Sequence, residues 1–165
     1  MPRLLPRLWR LAIVLSGRRD VADDLVQTTV RRAIERRGQF TEGTRLDAWM
    51  STILVSVWKN EKRAAALRAH ATLAEASELS AHAAEFDPET SLFRKQIIGE
   101  VGRLPEAQRE TVLLVYIDGY TYAEAGRILE IPIGTVMSRL AAARAKLAER
   151  LGDADRAAAK AINHD

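Results

Sequence analysis

The segment from Leu46 to Trp58 places its apolar residues at Leu46, Trp49, Met50, Ile53, Leu54, Val57 and Trp58. That is the i, i+3, i+4, i+7, i+8, i+11, i+12 spacing of a 3.6-residue helix, and a strand with its period of two cannot carry it. Thr44 with Asp47 three residues on has the form of a capping box at its start. Upstream, Asp20 is placed to cap a helix bearing Ala22, Leu25, Val26, Thr29, Val30, Ala33 and Ile34, and an earlier helix spans roughly Leu4 to Leu15. The stretch between Gly38 and Thr44 reads as a short polar loop with one aromatic, Phe40. Three helices then make an N-terminal unit.

Charge divides the chain further. Residues 1–63 hold 13 Lys and Arg against 7 Asp and Glu; residues 64–93 hold one arginine against five acids; residues 94–151 hold nine cations against seven acids. A basic unit, an acidic alanine-rich connector and a mildly basic unit follow one another. The alanine-rich connector has high helix propensity but few large apolar anchors, so it reads as a partly helical linker. Order resumes at Asp87-Pro88-Glu89, with a helix to about Gly102. Leu104-Pro105-Glu106 opens another that stops at Asp118-Gly119. Thr121 and Glu124 form a second capping box ahead of a short helix, Tyr122 to Leu129. A turn around Pro132 then leads to a final helix from about Thr135 to Leu151. A short helix, a tight turn and a longer helix are the helix-turn-helix plan. No strand pattern occurs, so the expected fold class is all-α: two small helical domains, a three-helix bundle at 1–63 and a helix-turn-helix unit at 87–151, joined by the linker 64–86 and followed by a tail at 152–165.

Several function classes are excluded or disfavoured. The chain has no cysteine, and His70, His82 and His164 are scattered, so no metal or cofactor is expected. No glycine-rich phosphate loop and no nucleophile beside a histidine suggest catalysis, and no catalytic residue is assigned. Arg7 and Arg10 break the N-terminal apolar run, leaving too short a core for a secretion signal, and no stretch approaches the roughly 20 apolar residues of a membrane span. A cytoplasmic chain without membrane insertion is expected.

Leu104-Pro105-Glu106-Ala107-Gln108-Arg109-Glu110, the run Tyr116 to Glu124, and the run Ile131 to Leu140 resemble region 4 of extracytoplasmic-function sigma factors of the sigma-70 family. Ala22-Asp23-Asp24-Leu25-Val26-Gln27 and Gly43-Thr44-Arg45-Leu46-Asp47-Ala48-Trp49 resemble region 2 of the same family. The resemblance implies a factor that binds core RNA polymerase and directs promoter-specific initiation. The rival readings are a sigma-like mimic that sequesters an anti-sigma factor and a stand-alone helix-turn-helix regulator.

Residue roles follow from both sources. A recognition helix sets short polar or basic side chains toward base edges and uses longer cations for phosphates. With Val136 and Leu140 facing inward, the candidates are Thr135, Met137, Ser138, Arg139, Ala141 and Ala142, with Arg144 and Lys146 for phosphates. The resemblance makes their target the −35 element. For the −10 element it points to the loop and third helix, with Phe40, Thr44, Arg45, Leu46, Ser56, Lys59, Asn60 and Arg63. The side of that helix away from its apolar stripe, carrying Ser51, Val55, Ser56, Lys59, Lys62 and Arg63, reads as a surface for a single strand. Phe40 reads equally as a base-pocket wall or as a loop anchor. Asp23, Asp24, Leu25 and Gln27 are the expected contacts for the β′ clamp helices, and region 4 is the expected partner of the β flap. Promoter DNA and an anti-sigma factor complete the implied partners, with a monomer when free. Relatives often carry glycine where this chain has Glu130, and Lys or Arg where it has Met137.

Overall fold

A computed structural model describes the backbone of residues 4–69 and 99–162 and the side chains of residues 4–67 and 99–152. Helix α1 spans Leu4–Ser16 and buries Leu8, Leu11, Ala12 and Leu15, which recur at i, i+3, i+4 and i+7. Gly17, at φ 69°, ends it by donating its N–H to the Ile13 carbonyl at 2.8 Å. Helix α2 spans Arg19–Glu35 and buries Ala22, Leu25, Thr29 and Ala33 on one stripe. Buried Thr29 satisfies its hydroxyl on the Leu25 carbonyl at 2.7 Å. Asp20 is not the cap expected of it. Arg18 holds the cap position in extended geometry, and Asp20 lies in the first turn, paired with Arg18 at 2.6 Å.

Helix α3 spans Leu46–Ala69, so it continues six residues beyond the expected end of its unit. The capping box expected at its start does not form. The Thr44 hydroxyl donates to the Thr41 carbonyl at 2.6 Å, and Asp47 accepts from its neighbour Ala48 N–H and from Arg45. An arginine two residues away outcompetes a backbone amide for the carboxylate, because a charge-assisted pair is the stronger bond.

In the second unit, residues 99–102 form a helical turn, followed by α4 over Glu106–Val112, a π-helical turn over Leu113–Ile117, α5 over Tyr122–Leu129 and α6 over Ile133–Ile162. Helix α6 starts two residues earlier than the sequence pattern suggests. Pro132 presents its carbonyl to the N–H groups of Thr135 and Val136, at 2.9 and 3.2 Å, so the helix begins at once after the proline. It also runs past Leu151 into the tail. The expected helix start at Asp87-Pro88-Glu89 and most of the linker lie outside the described residues. No strand occurs among the described residues, and the all-α architecture holds.

The two units are packed together. Helix α3 buries Met50, Ile53, Leu54 and Val57 with α1 and α2, yet Ser51 and Val55 on its other side are also buried, at 4% and 2% exposure. Expected as part of an open polar face, this side is instead covered by the second unit. Ser51, Val55, Trp58, Lys59 and Lys62 make an i, i+4, i+7, i+8, i+11 stripe. Ser51, Trp58, Lys59 and Lys62 of this stripe meet Tyr120, Glu106, the Leu129 carbonyl and Glu130. A helix apolar on most of its circumference belongs between layers, and α3 is the shared middle one.

Candidate nucleic-acid interface

The helix-turn-helix is built locally. Thr121 accepts from the Glu124 N–H at 3.2 Å while Glu124 accepts from the Thr121 N–H at 2.8 Å, the reciprocal box expected from sequence. That backbone N–H is the main reason the Glu124 carboxyl is held below its ordinary pKa. Helix α5 ends at Glu130, in the left-handed conformation at φ 54° and ψ 49°, a geometry that costs a non-glycine residue about 1–2 kcal/mol. The Ile131 N–H then returns to the Gly126 carbonyl at 2.9 Å. A Cβ on Gly126 would stand 3.0 Å from the Ile131 carbonyl oxygen, so a side chain there would have to push the turn outward by a few tenths of an ångström.

Val136, Leu140 and Ala143 of α6 are fully buried, fixing the rotation of the helix. The opposite stripe, Ile133, Gly134, Met137, Ser138, Ala141 and Arg144, is exposed. Thr135, Ala142 and Lys146 flank it half-buried. Of the eight residues expected at the −35 element, Met137, Ser138, Ala141 and Arg144 lie on the stripe and Thr135, Ala142 and Lys146 beside it. Arg139 is different. Its guanidinium is turned to α4, donating to Glu110 at 2.8 Å and to the Ala107 carbonyl at 3.4 Å. Burial raises the Glu110 pKa, and Arg139 opposes that shift. Arg144 donates to the Tyr116 hydroxyl at 2.8 Å, a contact made possible by the π turn. The extra residue of that turn sends the Asp118 N–H to the Leu113 carbonyl and leaves Tyr116 and Ile117 about half exposed.

In the first unit, Phe40 packs on Trp49, with ring centroids 5.3 Å apart, and so anchors the loop. Thr44 and Arg45 are exposed, Leu46 and Ser56 half-buried, Asn60 and Arg63 exposed and within 3.5 Å of each other. Asp23, Asp24 and Gln27 are exposed on α2, with Asp23 accepting the Trp9 indole N–H at 2.8 Å. Leu25 is 0% exposed. Its assignment as a polymerase contact is therefore corrected: it lies on the apolar stripe with Ala22 and Thr29, where it fills the core.

Sequence reasoning missed the contacts between the units. Arg10 donates to Asp118 of the second unit at 2.7 Å, and Arg7, which donates to Asp47 within the first unit at 2.6 Å, lies 4.0 Å from the Asp118 carboxylate. Arg45 bridges Asp47 at 2.8 Å and Glu124 at 3.3 Å, with its guanidinium 4.5 Å from the Tyr120 ring centroid. Tyr120 is buried against Ser51, and burial pushes its pKa up to about 12. Arg109, also buried, donates to the Gly102, Leu104 and Val14 carbonyls, so it ties α4 to the C-terminal end of α1. The available signal was in α1, where Arg7 and Arg10 interrupt an apolar run three residues apart.

An all-α chain with a helix-turn-helix whose outer stripe is free, joined to a second helical unit carrying lysines and arginines, defines a nucleic-acid-reading protein of two modules. Comparison with known proteins narrows this class. The family descriptions "Sigma-70 region 2" and "Sigma-70, region 4" match residues 2–68 and 94–147. The ECF RNA polymerase sigma factor EcfG of Rhodopseudomonas palustris (strain TIE-1) is 34% identical over 147 residues, covering 89% of this chain and 80% of that protein. The ECF sigma factor SigM of Mycobacterium tuberculosis is 32% identical over 146 residues, covering 88% and 72%. The sigma factor RpoE of Bartonella quintana, solved in complex with the anti-sigma factor NepR, superposes with a TM-score of 0.77 at 31% identity, covering 92% of this chain and 93% of that one. This chain belongs to the extracytoplasmic-function sigma factors of the sigma-70 family. It directs transcription initiation as a promoter-specificity factor. Among the described residues no helix is long and apolar enough to cross a membrane, and no acid or histidine cluster is arranged to hold a metal.

Proposed function

We propose that the chain reads promoters with two separate surfaces, and that its units divide as 1–63, a connector at 64–86, 87–151 and a tail. The outer stripe of α6, centred on Met137, Ser138 and Ala141, faces the base edges of the −35 element, and Arg144 with Lys146 engages phosphates. The loop at Phe40 to Leu46 and the cations of α3 engage the opened −10 strand. Asp23, Asp24 and Gln27 meet the β′ clamp helices, and the second unit meets the β flap. An anti-sigma factor, the kind of partner carried by the solved RpoE structure, is expected to hold the chain inactive. The protein is a cytoplasmic monomer when free, with no catalytic activity of its own.

The observation that carries this reading is the exposed stripe of α6, from Ile133 through Met137, Ser138 and Ala141 to Arg144, held outward by fully buried Val136, Leu140 and Ala143. The test is reconstitution. Purified chain added to core RNA polymerase is expected to initiate transcripts from a subset of promoters in the source genome, and failure to bind core overturns the reading. Core binding without open-complex formation would instead support the sigma-like mimic.

A further inference from the structure

We infer that α6 selects its DNA sequence through thymine methyl groups, with Met137 as the principal reader and Ile133 and Ala141 beside it. The inference rests on the assignment of the outer stripe of α6 to the −35 element, and adds the chemistry by which that stripe tells one base pair from another. Ile133, Met137, Ala141 and Ala145 recur every four residues, so they form one row along the helix, and all are exposed. Ile133 at 52% and Met137 at 53% exposure stand one turn apart and make a continuous apolar patch, unlike apolar residues scattered singly over a surface. The row begins at the first residue of α6, and the N-terminal part of a recognition helix is the part that reaches base edges.

The side chains that would read a base by paired hydrogen bonds are missing from this row or held elsewhere. Arg139 is the one cation among residues 133–143, and it is turned to α4, bound to Glu110 and the Ala107 carbonyl. The same residues include no Asn or Gln. That removes the bidentate reading of guanine by Arg or Lys and of adenine by Asn or Gln. What remains is the apolar row and the Ser138 hydroxyl, which donates to the Thr135 carbonyl at 3.0 Å and so meets a base edge as an acceptor. In the major groove, an A·T pair is the one that offers both a partner for an acceptor, the adenine N6 amino group, and an apolar group, the thymine methyl. Met137 and Ser138 are neighbours on the stripe and match that pair of features. The unbranched thioether of Met137 can adapt its rotamers to a methyl group, which a short alanine cannot do.

The test uses holoenzyme assembled from core RNA polymerase and the full chain, on a promoter from which it initiates. Thymines on both strands of the −35 element are replaced one at a time by uracil, which removes the methyl and keeps the pairing, and the same exchange in the spacer is the control. Each methyl that meets the row is expected to cost about three- to fivefold in promoter binding when removed, the scale of one buried methyl group. Spacer exchanges should have no effect. Met137→Ala is expected to weaken binding to the thymine promoter by a similar factor and to lose the response to uracil, while binding core as the parent does, which a misfolded variant would not do. Selection from a pool randomised across the −35 element should return A·T pairs opposite the row for the parent, and shift toward G·C pairs for Met137→Arg. Uracil without effect at every position overturns the methyl reading, and initiation that continues on that DNA leaves the promoter assignment of α6 standing. An undiminished uracil response in Met137→Ala overturns the role of Met137. A selection that returns no −35 preference overturns the −35 assignment of α6 and the inference with it.

Discussion

At Asp118, burial and ion pairing act in opposite directions. Its side chain is 2% exposed, and desolvation raises its pKa, opposed by the hydrogen bond and charge of Arg10. A carboxyl whose folded pKa exceeds its unfolded value stabilises the fold below the unfolded value, and that contribution is lost as pH rises through the folded pKa. Compared with Asp118→Asn, the parent chain is therefore expected to lose relative stability as pH rises from about 4 toward neutrality. Urea midpoints of both proteins across that range check the sign, and a constant difference would show that Arg10 cancels the burial shift. Arg139 makes a second residue-scale case. Because its guanidinium is committed to Glu110 and the Ala107 carbonyl, Arg139→Ala strands a carboxylate whose pKa burial already raises. We expect a loss of about 1–3 kcal/mol in unfolding free energy. Arg144→Ala, on the outer stripe, should instead leave stability nearly unchanged and reduce the salt slope of promoter binding by about 1.

Elements were legible where the determinants are local. The capping box at Thr121 and Glu124, the helix Tyr122–Leu129 and the inward set Val136 and Leu140 follow from neighbouring residues alone, and each occurs as the pattern dictates. The π turn at Leu113–Ile117 was not legible, because an i→i+5 bond leaves no periodic mark over five residues. The start of α3 misled for a related reason: Thr44 and Asp47 have the right spacing, but Arg45 claims the carboxylate. Gly126 tests how far local propensity reaches. Alanine there would gain about 1 kcal/mol of helix propensity. The Ile131 oxygen at 3.0 Å is backbone and cannot rotate away, so Gly126→Ala is expected to destabilise the second unit by about 1–3 kcal/mol net. Thermal unfolding of the variant followed by near-UV signals decides it, and a stabilised variant would show that the turn can give.

At the scale of the whole molecule, the sequence marks two units correctly in order but says little about their contact. A polar face on α3 is the pattern of a helix open to solvent, and also of one whose polar groups are matched by a partner 70 residues away. Periodicity cannot separate these. The contact has one ring at its centre: Tyr120 is buried in the second unit, reaches Ser51 of the first with its hydroxyl, and carries Arg45 over its face. Coupling of this kind makes separate units melt together, since neither can open without exposing the other's buried side. The parent chain is expected to unfold in a single calorimetric transition. Tyr120→Ala removes an aromatic side chain whose loss typically costs about 3–5 kcal/mol. Part of that loss falls on the second unit's own core and part on the contact with α3. The second unit should then melt first, and the trace should split into two transitions, with the first unit holding its α1, α2 and α3 packing to the higher temperature. A variant that melts earlier but still as one transition would place the coupling in Arg109 and its bonds to the Val14 carbonyl. Arg109→Met would then be the substitution that divides the molecule.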